Sequence, residues 1–468
     1  KVNQRVTLNL GMRYDLTPRM TEKLNHLSAF DRLYPGGRVL LSGTCTEYIP
    51  GAGTSPGPCT PRGLVPTDTN DWGPRIGVAI RPFNNNRTAI RAGYGIFYDM
   101  IELQDLRTWT RNPPYGAIFS LQSDQNGNSG SPTVLKVSDL FPAQGSLQAQ
   151  PDIYSPGDKY VDPYYQQWNF DLQRQFVSNL LLDIGYMGTK GTHLARRLLA
   201  NQAVLDANPA RPTPIQNRRP YPRFGTTIRL TDDDANSTYH ALLVKAEKRF
   251  AQGLSFLFSY TYAKALDSGS LIDDNPRDIY NLSLDKGRAD FDIRQRAVFS
   301  ASWELPFGKG KRFVTAGIGG ALLGGWQLNT ITALRSGFPF SVSASGDACN
   351  CGASNQLAQQ TGDPFGGFTQ SRLLWFNTAA FGQPARGSFG TSGRNILSGP
   401  AEETIDLSVF RTFPIGERMR LQFRGESFNL LNHANFGLPG STVASSSYGL
   451  IQSASSSRNI QFGLKLNF

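Results

Sequence analysis

The chain has 468 residues and a formal charge of +11, yet only 18 % of its residues are charged, below the quarter usual in soluble proteins. Aromatics at 11 % argue against disorder, and the arginines are scattered through alternating segments rather than gathered, which sets nucleic acid aside as a partner. The longest nearly apolar run, Val314–Gly325, is glycine-laced and falls short of the roughly 18 residues that a membrane helix needs.

The chain opens at Lys1 without a charged-then-apolar leader, and a strand pattern begins almost at once. A chain whose beginning is missing is therefore expected. In the first segment Val6, Leu8, Leu10, Met12 and Tyr14 alternate with Thr7, Asn9, Gly11, Arg13 and Asp15, the two-residue period of a strand. The period returns in Phe256, Phe258, Tyr260 and Tyr262, in Met419, Leu421 and Phe423, and in Ile460, Phe462, Leu464, Leu466 and Phe468. About twelve such strands are predicted, near 4–15, 73–83, 88–99, 164–176, 180–190, 238–250, 254–265, 292–305, 326–336, 403–413, 418–430 and 457–468. They run to about 10–13 residues, roughly twice the ordinary soluble strand. At ~3.3 Å per residue and a tilt near 45°, about ten residues cross the apolar core of a bilayer.

The connections alternate in size. Short ones carry turn residues: Asn84-Asn85-Asn86, Ser178-Asn179, Ala251-Gln252-Gly253 and Pro414-Ile415-Gly416-Glu417, with a longer one, Gly308–Gly325, that has room for a brief helix. Between them lie polar stretches rich in Gly, Pro and Ser at 16–72, 100–163, 191–237, 266–291, 337–402 and 431–456. Strict alternation puts every short turn at one end and every long loop at the other, the asymmetry of outer-membrane barrels. Strands entering short turns end in Phe83, Phe176, Phe250, Phe307 and Phe413, with Phe468 at the terminus, while Tyr14, Tyr98, Tyr164, Tyr186 and Tyr262 mark the opposite ends. Two rows of rings one membrane apart are what aromatic girdles require.

Period-two alternation alone fits a soluble sandwich equally well; strand length, loop asymmetry and terminal rings together favour the membrane. The expected fold is all-β, a transmembrane antiparallel up-and-down β-barrel with long extracellular loops. In hydrocarbon an unsatisfied amide costs several kcal/mol, so strands span only as a closed sheet. With further strands expected upstream, the whole of 1–468 reads as the C-terminal part of one barrel domain, an open arc with Val6–Tyr14 on an unpaired edge.

The terminal run Gln461-Phe462-Gly463-Leu464-Lys465-Leu466-Asn467-Phe468 resembles the β-signal by which outer-membrane assembly machinery recognises its clients, with Gln461, Gly463, Leu466 and Phe468 at the matching positions. Nearly the whole chain resembles the C-terminal barrel portion of Oar-like TonB-dependent receptors. The resemblance rests on Leu8-Asn9-Leu10-Gly11-Met12-Arg13-Tyr14-Asp15, Ile90-Arg91-Ala92-Gly93-Tyr94-Gly95, Gln167-Trp168-Asn169, Tyr260-Thr261-Tyr262-Ala263-Lys264, Glu304-Leu305-Pro306-Phe307-Gly308, Gly324-Gly325-Trp326-Gln327 and Phe428-Asn429-Leu430-Leu431-Asn432-His433. It implies a 22-stranded barrel, an N-terminal plug and a TonB box contacted by the energised inner-membrane complex. Neither plug, TonB box nor first strands is recognisable here.

No catalytic constellation, cofactor motif or metal site is expected. His26, His193, His240 and His433 are far apart and lack ligand spacing. Gly53-Thr54-Ser55-Pro56-Gly57 matches a nucleophile elbow only formally, without a strand and helix around it. The acidic runs Asp232-Asp233-Asp234 and Asp273-Asp274 could offer oxygens to calcium but read more simply as solvated charge. Cys45 and Cys59 could close a loop disulfide, whereas the two-residue spacing of Cys349 and Cys351 strains a bridge. Loop rings such as Trp109, Tyr115, Tyr154 and Trp375 could stack on sugars, though packing the loops together is the simpler role.

The expected function is uptake of a large nutrient ligand across the bacterial outer membrane by binding and gated translocation, without catalysis. Expected partners are outer-membrane lipid, the barrel assembly machinery, the TonB complex through the missing N-terminal region, and a nutrient such as an oligosaccharide. A passive twelve-stranded channel or surface-adhesion barrel is the alternative, and it requires 4–15 to pair with 457–468. A secreted soluble β-protein is the third reading; it requires Leu8, Phe256, Leu421 and Leu464 to face one another across a dry core.

Overall fold

Twelve long strands form one antiparallel sheet in the computed structural model, which describes residues 2–100, 107–116, 151–158, 160–177, 179–211, 213–353 and 355–468. Most of the predicted loop 100–163, Lys1 and Ser178 of one predicted turn lie outside those residues. The strands are β1 (Val6–Tyr14), β2 (Trp72–Ile80), β3 (Thr88–Tyr98), β4 (Tyr164–Val177), β5 (Leu180–Leu199) and β6 (Ile228–Ala251). They continue as β7 (Leu254–Asp267), β8 (Gln295–Glu304), β9 (Trp326–Arg335), β10 (Glu402–Ile415), β11 (Met419–Phe428) and β12 (Asn459–Asn467). Each pairs with its sequence neighbours, so the order in space is the order in the chain. Two short strands, Ile153–Pro156 and Gly287–Arg288, add to β6 and β7 and bring the sheet to 14.

All twelve predicted segments are strands. Two run further than their hydrophobic pattern suggests. β5 continues to Leu199 instead of stopping near 190, and β6 begins at Ile228 instead of 238. The pairing breaks register between Gly191 and Leu194 and again before Arg196, where His193 takes a φ of 57°. Past the break Arg196 lies opposite Asp232 and Arg197 opposite Thr231. The Arg196 guanidinium binds Asp234 Oδ1 at 2.8 Å. Cross-strand charge pairing stabilises a ladder that apolar alternation no longer marks. The acidic run is thus a buried part of a strand rather than solvated charge: Asp232 and Asp233 are both buried.

Register places one set of side chains on each face. Leu10, Ile76, Tyr94, Trp168, Gly188 and His240 are opposite one another across β1–β6; Phe258, Phe299, Thr332, Ile405 continue the same face through β7–β10. This face is uncovered, with Leu10 and Leu464 each 71 % exposed. Leu8 is exposed as well, so the dry sandwich core that the soluble reading requires is not formed. Among the described residues the buried hydrophobic clusters are instead built at the long-loop end. There a four-stranded sheet, Ser28–Asp31, Arg38–Leu41, Thr46–Ile49 and Gly53–Pro56, packs Phe30, Val39 and Leu41 on Ile153, Phe224, Ile228 and Leu230 of the β5–β6 region.

At the opposite end the connections are tight turns, plus the short helix α1 (Gly317–Leu323) between β8 and β9. Among the described residues no helix is long and apolar enough to cross a membrane. Among the described residues β1 pairs only with β2, and β12 only with β11. The closed twelve-stranded channel is therefore not formed.

Candidate functional site

Two surfaces of this architecture can do chemistry: the inner face of the sheet and the cap of folded loops above it. On the inner face Arg91 Nη1 donates to Gln173 Oε1 at 3.0 Å, and Asn169 Nδ2 donates to Asp171 Oδ2 at 2.6 Å. Lys245 Nζ lies 3.0 Å from Glu247 Oε2 on the same side of β6. Arg424 Nε donates to Gln422 Oε1 at 2.8 Å while its guanidinium sits 5.1 Å from the Phe410 ring. Gln461 Nε2 donates to Glu426 Oε2 at 2.7 Å. Both signs of charge alternate with amides and hydroxyls from strand to strand, which makes a wettable wall opposite the apolar one.

Cations on the outer face behave differently. Lys248 near the turn end bends its ammonium to the carbonyls of Ala251 and Leu254 at 3.1 and 3.3 Å. Arg411 lies over the Trp326 and Phe413 rings and donates to the Leu322 carbonyl of α1 at 2.8 Å. Arg174 sits over Phe176. Long cationic side chains that reach for polar groups at the end of an apolar face are snorkelling to a headgroup layer. Phe83, Phe176 and Phe250 of the predicted lower ring row are half exposed at that level. At the cap end Tyr14 packs on Trp72 at 4.5 Å, and the Tyr186 hydroxyl meets His240 Nδ1 at 2.7 Å.

The cap is held by ion pairs within and between loops, most of them largely buried. Arg277 Nε binds Asp285 Oδ1 at 2.9 Å, and Asp292 accepts from Arg288 Nε at 2.8 Å and Arg294 Nε at 3.0 Å. Arg19 pairs with Asp162, and Arg197 with Asp273. Burial pushes Asp233 up to about 8, with Asp232 adding repulsion and the Val161 amide opposing it. Burial, then the neighbouring Asp162 carboxyl, hold Asp71 well above the ordinary carboxylate range.

Two hollows are formed by described residues, most of them in loops. One of about 300 Å³ is lined by Arg335, Phe338, Glu402, Asn435, Phe436 and Ser453. The other, about 220 Å³, is lined by Asp274, Asn275, Asp290, Ser341, Asn355 and Arg394. Each mixes donors and acceptors with a comparable share of apolar surface, an arrangement that can grip a ligand carrying both hydroxyls and apolar faces.

The residues singled out in the sequence are dispersed. Gln461, Gly463 and Leu466 lie on β12, and Phe468 follows it, 97 % exposed. Cys45 and Cys59 are joined in the first loop, and Cys349 is joined to Cys351 despite the two-residue spacing. The histidines do not gather: His26 stacks on Tyr115 at 4.4 Å, His193 meets the Asp233 carbonyl at 3.3 Å, and His433 meets Asn435 Oδ1 at 3.1 Å. Asp347, Cys349 and Cys351 bring three ligand atoms together, but sulfurs engaged in a disulfide are not thiolates and offer no metal site. Ser55 sits in the cap sheet with its hydroxyl on Glu47 at 3.3 Å, not at a strand-to-helix elbow. Trp109 is buried, Trp375 donates to the Ser398 carbonyl at 2.9 Å, and Tyr154 lies under Arg229, so these three pack the cap. Tyr115 is exposed.

What sequence reasoning missed is the cap. Its clusters join residues far apart in the chain, such as Phe30 with Phe224 at 5.0 Å, and no local period announces such contacts.

The family described as "Outer membrane beta barrel domain" matches residues 1–461. No curated protein matches the chain. Among solved structures it is similar to the outer membrane transporter YddB from Escherichia coli, with a TM-score of 0.45 and 11 % identity over 86 % of this chain and 41 % of that one. It is similar to the pyoverdine outer membrane receptor FpvA from Pseudomonas aeruginosa, at 0.43 and 11 % over 100 % and 40 %. The ferric-catecholate import receptor Fiu from Escherichia coli gives 0.41 and 11 % over 100 % and 43 %. The chain spans about two fifths of the length of these structures.

Proposed function

The chain belongs to the outer-membrane β-barrel domain family, and from that premise we propose that it forms the C-terminal part of the barrel of an Oar-like TonB-dependent receptor. Its place is the bacterial outer membrane. In this reading residues 1–468 are one arc of a larger barrel, whose remaining strands and plug lie outside them. The free edges of β1 and β12 support it, because an unpaired ladder in hydrocarbon is untenable and must be met by further strands.

The observation that carries the transport reading is the charged inner face, Arg91, Asp171, Lys245, Glu247, Arg424 and Glu426, on strands whose other face is uncovered and mostly apolar. A wall of that kind lines a water-filled passage, and the cap above it offers the hollows around Glu402 and Arg394 for capture. The ligand class that suits those hollows is a large hydroxyl-rich nutrient such as an oligosaccharide. Movement inward would be driven by the TonB complex acting on the plug, with no bond made or broken. Gln461, Gly463, Leu466 and Phe468 would present the β-signal to the assembly machinery, and the Cys45–Cys59 bridge would stiffen the first loop.

Planar-bilayer conductance of the full-length protein tests the reading. A plugged barrel carries no steady current. Steady open-channel conductance from the intact protein would replace gated import with passive diffusion.

A further inference from the structure

We propose that the junction of the first two long loops binds a hard divalent cation of the calcium type between the carboxylates of Asp71 and Asp162. Asp71 directly precedes β2 and Asp162 lies two residues before β4. These strands flank β3, so the sheet itself fixes the two groups at neighbouring positions on the rim. The two carboxyl groups lie against each other, and they are only 1 % and 3 % exposed.

Charge there is not balanced. Arg19 takes one oxygen of Asp162 and spends further donors on the carbonyls of Pro66 at 3.1 Å and Tyr160 at 3.5 Å. Asp162 Oδ2 and both oxygens of Asp71 are buried without a hydrogen-bond partner. Asp68 adds a third carboxylate, its Oδ2 3.5 Å from the Asp162 amide. Asp68, Asp71 and Asp162, with Asp233 beside them, therefore share the Arg19 guanidinium. Burying an ionised oxygen with no donor is costly, and Asp71, with neither oxygen satisfied, is the side chain that asks for a ligand. A donor set made wholly of oxygen selects calcium or magnesium over the softer metals. Calcium tolerates the irregular geometry of loop carboxylates and carbonyls better than magnesium does. A cation here would clamp the residues that lead into β2 to those that lead into β4, independently of what the barrel imports.

The test uses the full chain in detergent, stripped with a chelator and titrated with calcium chloride by calorimetry, with thermal unfolding followed in parallel. One calcium per chain is expected, with a dissociation constant on the order of 0.1–1 mM, the range of extracellular modules, and a rise in Tm. Asp71→Asn, which leaves the Arg19–Asp162 pair intact, should lose both signals, while Asp273→Asn at an exposed carboxylate should keep them. Heat-modifiable gel mobility establishes that each variant is folded. The proposal is overturned if the wild type binds no calcium up to about 10 mM, or if Asp71→Asn binds it as tightly. Stabilisation by Asp71→Asn in a calcium-blind wild type would mean that the two carboxyls share a proton instead.

Discussion

The Trp168 indole occupies the space above Gly188: a Cβ placed on Gly188 would stand 2.3 Å from Trp168 Cε2 and 2.5 Å from Nε1. The two residues are direct partners across β4 and β5 on the outer face. The ring also comes within 5.9 Å of His240 on β6, so it spans three strands at the cap-side girdle. Gly188→Val should push the indole off its seat and destabilise the hairpin by about 1–3 kcal/mol, the usual cost of overpacking. The check is the folded fraction by heat-modifiable mobility. Trp168→Ala in the same background should restore much of the loss, because it empties the contested volume; equal damage in the double variant would mean that the glycine matters for another reason.

Adjacent residues on β7 separate the two faces. Phe258 pairs with Phe299 on the outer face, and Ser259 pairs with Val298 on the inner one. An arginine on the lipid face near mid-strand costs about 2–4 kcal/mol, whereas a wet interior accommodates it. Phe258→Arg should therefore lower assembly yield and urea resistance, and Ser259→Arg should leave both nearly unchanged. Equal tolerance at both positions would remove the assignment of which face meets lipid.

The strands were legible because a membrane imposes two solvents on one sheet. Leu8, Phe256 and Leu464 alternate with polar neighbours for that reason alone, and the register of β1, β7 and β12 follows the alternation. Where both faces meet protein, the signal disappears. Arg196 ties the extensions of β5 and β6 together in the cap through its ion pair with Asp234, and a run of three aspartates is a poor strand former by propensity. Phe30, Phe224 and Ile228 form a dry core from separate loops, and Asp71 meets Asp162 only because β2 and β4 are both neighbours of β3. Such contacts depend on topology rather than on any window of sequence.

Protons should stabilise the cap. Asp233 titrates in the folded chain at about 8 and in the unfolded chain near ~3.9. The folded state therefore holds this proton more tightly. The contribution is fully present below about pH 4 and is lost as pH rises through about 8, because stability falls wherever the folded state binds more protons. Hydrogen exchange of the Ile228–Ala235 amides, measured in chelator, should accelerate between about pH 5 and pH 8 beyond the intrinsic base-catalysed rate. Asp233→Asn keeps an oxygen for the Val161 amide, which now donates to the carboxylate at 2.9 Å, and it should flatten that excess. An unchanged slope in the variant would assign the pH response to other groups.

The Cys45–Cys59 bridge encloses 14 residues of separation, including the cap strands Thr46–Ile49 and Gly53–Pro56. A loop of this size is stabilised by about 3 kcal/mol when cross-linked, mainly through restriction of the open chain. The Gly57 amide already donates to the Cys45 carbonyl at 2.9 Å, and the Thr60 amide donates to Thr44 at 3.0 Å, so the ladder persists without sulfur but opens more readily. Cys45→Ser with Cys59→Ser should speed limited proteolysis between residues 44 and 60 by about a hundredfold, the rate equivalent of that energy where opening precedes cleavage. Neither strand of this hairpin pairs with a spanning strand among the described residues, and Tyr48 joins it to the cap core of Phe30, Val39 and Leu41. Heat-modifiable mobility of the barrel should therefore be unaffected, and a barrel that unfolds with the hairpin would show that cap and sheet form one cooperative unit.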